Sequence, residues 1–401
     1  MEVVFFPREQ YPVSVCDHRH NKKMTCTFQS DNHWIESYNY MCSLAQQKGI
    51  RLGVFYGKHA QGTMNQNNYA AIKQAEASDI CRTDIYFPAP AGSDRSVLYT
   101  EEQYIAKKNE YKTWLQGIVN RTPSVFSYAY GADTYTQYAK DYWLAARNSE
   151  EYNQYVGNRA NYLNYGNKAF SGSYIGSPNI VYNRNNYTID QQSWISQPST
   201  TRWDHFIKQN INGGMTISAA VADAVSKMSN LLDICYQQRG WFRDFVHWDD
   251  YYPQTGGWYK NFTEWTTSVD DIPFNPLDMM FTALFEMIEE KSYFDDIHFC
   301  SWGEAIEYMV ARMMVKKISA YTPKSNPNAI NIAVETDMTK YGNIAEMLNT
   351  PISIYLSLED TPLEDANIIV ENCIGYNQNG NNVVIEIDVK RCNTVSILQQ
   401  N

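Results

Sequence analysis

Hydrophobic and polar positions follow two different rhythms along this chain. Up to about residue 315, short β-type runs alternate with longer stretches in which apolar residues recur every three or four positions. The first such unit is a strand over 24–28 and a helix over 38–48, with Tyr38, Met41, Leu44 and Ala45 on one face. Gly49 closes that helix, and a second strand covers 50–56. A helix over 69–77, a strand over 79–87 stopped by Pro88, a long amphipathic helix over 101–118 and a strand over 124–130 come next. Further on lie a helix over 217–238, a strand over 240–247, helices over 277–291 and 303–315, and a short strand at 297–299. This spacing predicts parallel strands joined by crossover helices.

The rhythm changes after the turn-rich stretch 321–328. Only short alternating runs remain, at 329–334, 352–358, 367–370, 383–389 and 395–398, and Asn379-Gly380 marks a hairpin. A small β-sandwich over 322–401 is expected behind an α/β domain over 1–318. Residues 150–200, rich in Asn, Tyr, Ser and Gly with weak periodicity, read as an insertion over one face of that domain.

Composition narrows the function classes. The net charge of −11 argues against nucleic-acid binding, which needs clustered Lys and Arg. No apolar run is long enough to span a membrane. The start, Met1-Glu2-Val3-Val4-Phe5-Phe6-Pro7-Arg8, lacks the basic and apolar regions of a signal peptide. The eight cysteines include no Cys-x-x-Cys pair, which speaks for reduced, buried thiols and against a thiolate zinc site. The 31 Tyr and 10 Trp fit either ordinary packing or a surface on which sugar rings stack. Phosphate-loop, dinucleotide and Gly-x-Ser-x-Gly fingerprints are missing from the sequence.

Several short motifs stand in a telling order: Thr27-Phe28-Gln29-Ser30-Asp31, Gly53-Val54-Phe55-Tyr56, the frame from Ser78 to Pro88, Phe126-Ser127-Tyr128-Ala129-Tyr130-Gly131, Gly240 to His247, and Phe299 to Tyr308. Together they resemble the polysaccharide deacetylase superfamily (carbohydrate esterase family 4, the NodB-homology fold) over residues 22 to about 315. The resemblance implies a distorted (β/α) barrel of about seven strands. It also implies a general base and a metal ligand at the positions that Gln29 and Ser30 occupy here, and two histidine ligands where Thr83 and Phe87 stand. Gln cannot accept a proton, Ser is a poor ligand, and a hydroxyl with a phenyl ring cannot hold zinc. On the same resemblance Tyr128 and Tyr130, with Trp248, belong to the oxyanion and substrate groove, and His247 is the general acid.

Two readings of the altered site compete. In one, a divalent metal (zinc) has moved to Asp31, His33 and His59 near the strand ends, with Asp31 as base or ligand. The protein is then a metal-dependent polysaccharide deacetylase, a hydrolase. In the other, turnover is lost and the groove binds glycan, or the domain is purely architectural. Asp249 and Asp250 would raise the His247 pKa by their charge. His18 and His20 resemble metal spacing but are expected to be solvated, as are Glu286, Glu289 and Glu290 on a helix face. The expected partner is cell-surface polysaccharide, with neither nucleic acid nor membrane. The missing leader suggests a virion protein, such as a phage tail component that meets other virion proteins, or else a cytoplasmic role.

Overall fold

The structure is a computed structural model. It describes residues 10–32, 34–58, 66–90, 97–128, 136–139, 142–147, 203–237, 239–251, 276–336, 346–391 and 394–400. The expected insertion over 150–200 lies outside them. The elements in chain order are β1 (Gln10–Tyr11), β2 (Val13–Val15), β3 (Met24–Asn32), α1 (Ile35–Gln47), β4 (Leu52–Tyr56), α2 (Gln66–Ala77), β5 (Cys81–Phe87) and α3 (Glu101–Val119). They continue with β6 (Val125–Tyr128), α4 (Thr136–Ala139), β7 (Ala145–Arg147), α5 (Trp203–Asn212), α6 (Ile217–Gln237), β8 (Trp241–Phe245), α7 (Pro276–Glu289), β9 (Ile297–Phe299) and α8 (Trp302–Met314). The last strands are β10 (Val315–Tyr321), β11 (Ala329–Thr336), β12 (Ile352–Ser357), β13 (Ile368–Glu371), β14 (Gly375–Asn379), β15 (Asn382–Ile387) and β16 (Thr394–Gln399). The chain divides into two compact units, Met24–Ile306 and a second made of Met1–Lys23 with Glu307–Asn401.

The first unit carries a parallel sheet of strand order β7-β6-β5-β4-β3-β8, with β9 paired to the start of β3. Alternation along β3 explains its two faces. Met24, Cys26 and Phe28 join Leu52, Val54 and Cys81 in a hydrophobic layer with α1, α6 and α7, where Met41, Met228 and Phe285 pack. Thr25, Thr27, Gln29 and Asp31 face the other way. α3 starts on a capping box in which the Thr100 hydroxyl accepts from the Gln103 backbone N–H and Gln103 Oε1 accepts from Thr100 N–H. The sheet curls strongly on its second face. Strands about 4.8 Å apart would hold β3 and β6 roughly 14 Å apart in a flat sheet. Instead Ser127 Oγ on β6 donates to Asp31 Oδ2 on β3 at 3.2 Å. The result is a parallel half-barrel, and among the described residues its path ends at β7 and β8.

The second unit holds two antiparallel sheets, β1-β10-β11-β16-β13 and β14-β15-β12-β2. Their inward positions are aliphatic: Ile330, Ile332, Val334, Ile354, Ile385, Val395 and Ile397 are all buried. The β14–β15 hairpin turns at Gly380, whose φ of +58° suits glycine, as Asn379-Gly380 predicts. The division of the chain differs from the expected break at 318–322. Residues 315–321 form β10, Tyr321 pairs with Gln10, and Val13–Val15 pairs with β12. The turn-rich 321–328 stretch is therefore the hairpin turn between β10 and β11. The five residues that form β1 and β2 are too few and too polar to announce themselves as strands, and their partners lie some 300 positions away.

The segment after β2 corrects another expectation. His18 is fully buried rather than solvated. Cys16 N–H donates to Ser353 O at 2.9 Å, Tyr308 OH donates to Cys16 O at 2.9 Å, and Arg312 bonds Asp17 at 2.8 Å. His20 Nδ1 lies 3.3 Å from Glu386 Oε1, and Arg19 Nε donates to Glu386 Oε2 at 3.1 Å. Burial works to raise the Glu386 carboxyl, but the bonds from His20 and Ser353 and the charges of His20 and Arg19 outweigh it and hold it down to about 2. Among the described residues no helix is long and apolar enough to cross a membrane.

Candidate functional site

Register fixes which side chains share the inner face of the half-barrel. Gln29 sits level with Gly53 and Arg82, Asp31 with Phe55 and Asp84, and Ser127 with Tyr86 and Arg147. Asp31 stands near the C-terminal end of β3, the end at which (β/α) scaffolds place their chemistry. It is buried to 4% exposure, with Arg147 and Ser127 among its partners. The Arg147 guanidinium forms an ion pair with Asp31 Oδ2 and donates to Ser127 Oγ at 2.7 Å, and Ser127 Oγ donates to the same Asp31 oxygen. The three groups close a hydrogen-bonded triangle. The guanidinium carbon also lies 5.5 Å from the centre of the Phe55 ring. Four strands thus contribute to one small cluster.

β8 delivers His247 to the same end of the sheet. Beyond the paired residues Val246 N–H donates to Gln29 O at 3.1 Å, and Trp248 N–H donates to Ser30 Oγ at 3.1 Å. The parallel register carries His247 to the level of Asp31 on the neighbouring strand. His247 is half-buried, whereas Trp248 is fully buried in the layer between sheet and helices and offers no face to a ligand. The Ser30 hydroxyl accepts from Trp248 and donates to the Asp31 carbonyl, so it pins two strand ends together. Asp249 turns toward α1 and accepts from Ser37 Oγ at 2.5 Å. Burial, with the charges of Asp249 and Glu36, pushes the Tyr56 phenol well above its usual range.

Below this cluster the inner face is plugged. Gln29 Oε1 accepts from Trp302 N–H at 3.3 Å, and Gln29 Nε2 has no hydrogen-bond partner among the described residues. Ser301 and Glu304 form a capping box at the start of α8, each accepting from the other's backbone N–H. Arg51 Nε donates to Glu304 at 2.8 Å. Burial alone would raise the Glu304 carboxyl; Arg51 and Arg82 overcome it and hold it well below the usual carboxylate range. Arg82 and Asp84, both within 2% of full burial, pair at 3.1 Å, and Arg121 donates to Asp84 at 3.1 Å and to Glu76 at 3.0 Å. Gly303 packs against this pair so closely that a Cβ there would fall 2.5 Å from Asp84 Oδ2.

Thr83 and Phe87, at the positions where the resemblance calls for histidine ligands, do not face this interior. They share the helix-facing side of β5 with Cys81 and Ile85. Thr83 Oγ1 meets Tyr38 OH at 3.3 Å. Phe87 is the hub of an aromatic cluster, with ring centres of Tyr104 at 5.1 Å, Phe126 at 5.4 Å, Tyr111 at 5.9 Å and Tyr99 at 6.2 Å. Strand parity, which motif matching ignored, decides their side.

The donor set can be tested against the zinc that the resemblance implies. Among the described residues no three His, Cys, Asp or Glu groups come together to hold an ion. Asp31 does not fit as a ligand, because a guanidinium already lies against its carboxylate. Two unit charges of like sign about 4 Å apart cost about 4 kcal/mol at an effective dielectric of about 20, and a divalent ion would face about twice that. His33, His59 and Tyr130 lie outside the described residues, and Tyr128 is placed only as the last residue of β6. The residues that sequence reasoning missed are Ser127 and Arg147. Ser127 lay unremarked inside the Phe126 to Gly131 motif. Arg147 ends a strand of three residues, Ala145-Ala146-Arg147, too short to read, and its signal was an arginine closing an apolar run.

No protein-family model and no curated protein matches the chain. Among solved structures, a polysaccharide deacetylase from Bacillus cereus is similar at 9% identity and a TM-score of 0.35, over 70% of this chain and 92% of that one. A mutant of a CE4 family pseudoenzyme with restored enzymatic activity aligns at 12% identity and a TM-score of 0.25, over 31% of this chain and 44% of that one. A GH30 endoxylanase from Clostridium papyrosolvens aligns at 9% identity and a TM-score of 0.28, over 97% and 100%. At TM-scores this low and identities this small, none of the three assigns a family or an activity to this chain.

Proposed function

We propose that this chain is a glycan-binding protein on a polysaccharide deacetylase-like half-barrel, without metal-dependent turnover, and that its ligand is an acetylated cell-surface polysaccharide. One observation carries the reading: the Asp31 carboxylate at the strand ends holds the Arg147 guanidinium inside the curl of the sheet. A carboxylate next to a fixed cation is a weaker base and repels a second cation. Both duties that the relocated-metal reading would give Asp31, base and ligand, are thereby weakened. We assign sugar contact to His247, Tyr128 and Tyr130. We further propose that the half-barrel closes into a barrel, and that the two antiparallel sheets pack as a sandwich serving attachment or assembly. The Asn- and Tyr-rich stretch over 150–200 suits a phage tail component that meets host glycan beside other virion proteins.

Calorimetric titration with acetylated and chemically deacetylated forms of one oligosaccharide, run beside acetate-release and metal assays, tests this. Expected are saturable binding that favours the acetylated form, no acetate release, zinc well below one equivalent, and at least roughly tenfold weaker binding by His247→Ala, the loss of about one good polar contact. Acetate release that requires zinc and vanishes in His33→Ala or His59→Ala would establish the relocated-metal deacetylase instead. Absence of any glycan binding would leave an architectural module.

A further inference from the structure

We infer that Arg147 is a built-in cation that takes the electrostatic place of a divalent metal at the strand ends, and that shortening it opens a cation site beside Asp31. The inference concerns the same cluster as the proposed function but does not depend on glycan binding. Four observations support it. Asp31 lies on β3, the strand whose end the deacetylase resemblance assigns to base and metal. The guanidinium that meets Asp31 comes from β7, four strands away in the sheet order, so the contact exists only because the sheet curls. Arg147 is 2% exposed, Asp31 4% and Ser127 fully buried, so water does little to screen the pair. Finally, one guanidinium nitrogen gathers oxygens from two strands, Asp31 Oδ2 and Ser127 Oγ, with Phe55 from a third strand near the ion. Drawing oxygens of separate strands around one positive centre is what a structural metal ion does. A guanidinium does it with directed N–H bonds, and it cannot be removed by a chelator.

The two positive charges exclude each other, which makes the inference testable without any ligand or activity. Wild-type protein dialysed against zinc should retain well below one equivalent, and neither zinc nor about 20 mM guanidinium should move its Tm beyond a salt-matched control. Arg147→Ala leaves a buried carboxylate without its cation, and its Tm should fall by about 10 °C. Guanidinium or zinc should restore part of that loss, and adding Asp31→Asn to the variant should abolish the restoration. The pair of neutral near-isosteres Asp31→Asn with Arg147→Gln should fold and be more stable than Arg147→Ala alone, which keeps the inference testable if the single variant does not fold. Stoichiometric zinc in the wild type that disappears in Asp31→Asn would overturn the inference. So would an Arg147→Ala protein as stable as wild type, or a double variant no better than the single one.

Discussion

On the inner face of the half-barrel Asp31, Arg82, Asp84, Arg147 and Glu304 are all at least nine-tenths buried, whereas the second unit fills its interior with Ile330, Ile332, Ile354, Ile385 and Ile397. The two interiors respond to damage in different ways. A buried ion pair is worth little as a net stabiliser compared with well-packed apolar residues, yet removing one partner is expensive because the other charge stays behind. An aliphatic interior loses stability in proportion to the methyl groups removed and the cavity left. The half-barrel therefore tolerates single changes badly, and the second unit degrades by degrees.

The largest effect expected is that of Arg82→Met, which leaves the buried Asp84 with Arg121 but without its fully buried cation: about 3–5 kcal/mol lost in denaturant unfolding, most of it recovered when Asp84→Asn is added. If the double variant recovers nothing, charge pairing is not what makes the inner face brittle. Glu386→Gln probes a strongly shifted carboxyl of the second unit. The folded value of about 2 lies below the usual 4.5, so its contribution is fully present above pH 4.5 and lost as pH falls through 2. The variant should lose about 3 kcal/mol at neutral pH, and the gap to wild type should close between about pH 4.5 and 2. A gap constant with pH would refute the ion-pair account. Gly303→Ala should cost about 1–3 kcal/mol despite the better helix propensity of alanine, because its Cβ drives into the Arg82–Asp84 pair. In the aliphatic interior Ile354→Val should cost about 1 kcal/mol, measured the same way. On the surface Ile374→Ser, at a residue 62% exposed, should stay within about 0.5 kcal/mol.

Much of this architecture was legible as pattern. α1, β5, α3, α6 and β9 fall within a few residues of their expected spans, because long amphipathic helices and buried strands leave strong periodic signals. β1, β2, β7 and β10 escaped notice because they are short or flank a helix directly, and remote pairing partners stabilise them. α5 was hidden beside a polar stretch, although Trp203 and Ile207 are fully buried. The site was half legible. β3 and β8, the strands that carry or precede Asp31 and His247, are parallel neighbours in the sheet. What the motifs could not reveal is that Arg147 would reach Asp31, since that contact depends on curvature. Nor could they reveal that Thr83 and Phe87 point to the helices, since that depends on counting pleats.

The pairing of Gln10 with Tyr321 and of Val13 with Leu356 has a consequence for biosynthesis. Once made, β1 and β2 must wait while some 300 further residues are added before they find their neighbours. Meanwhile Met24–Ile306 can fold as a loop between the two halves of its host. Such a long-range closure slows folding and leaves bare strand edges in the nascent chain. A fragment beginning at residue 322 would lack three strands of its own unit, and should precipitate where the whole chain stays in solution.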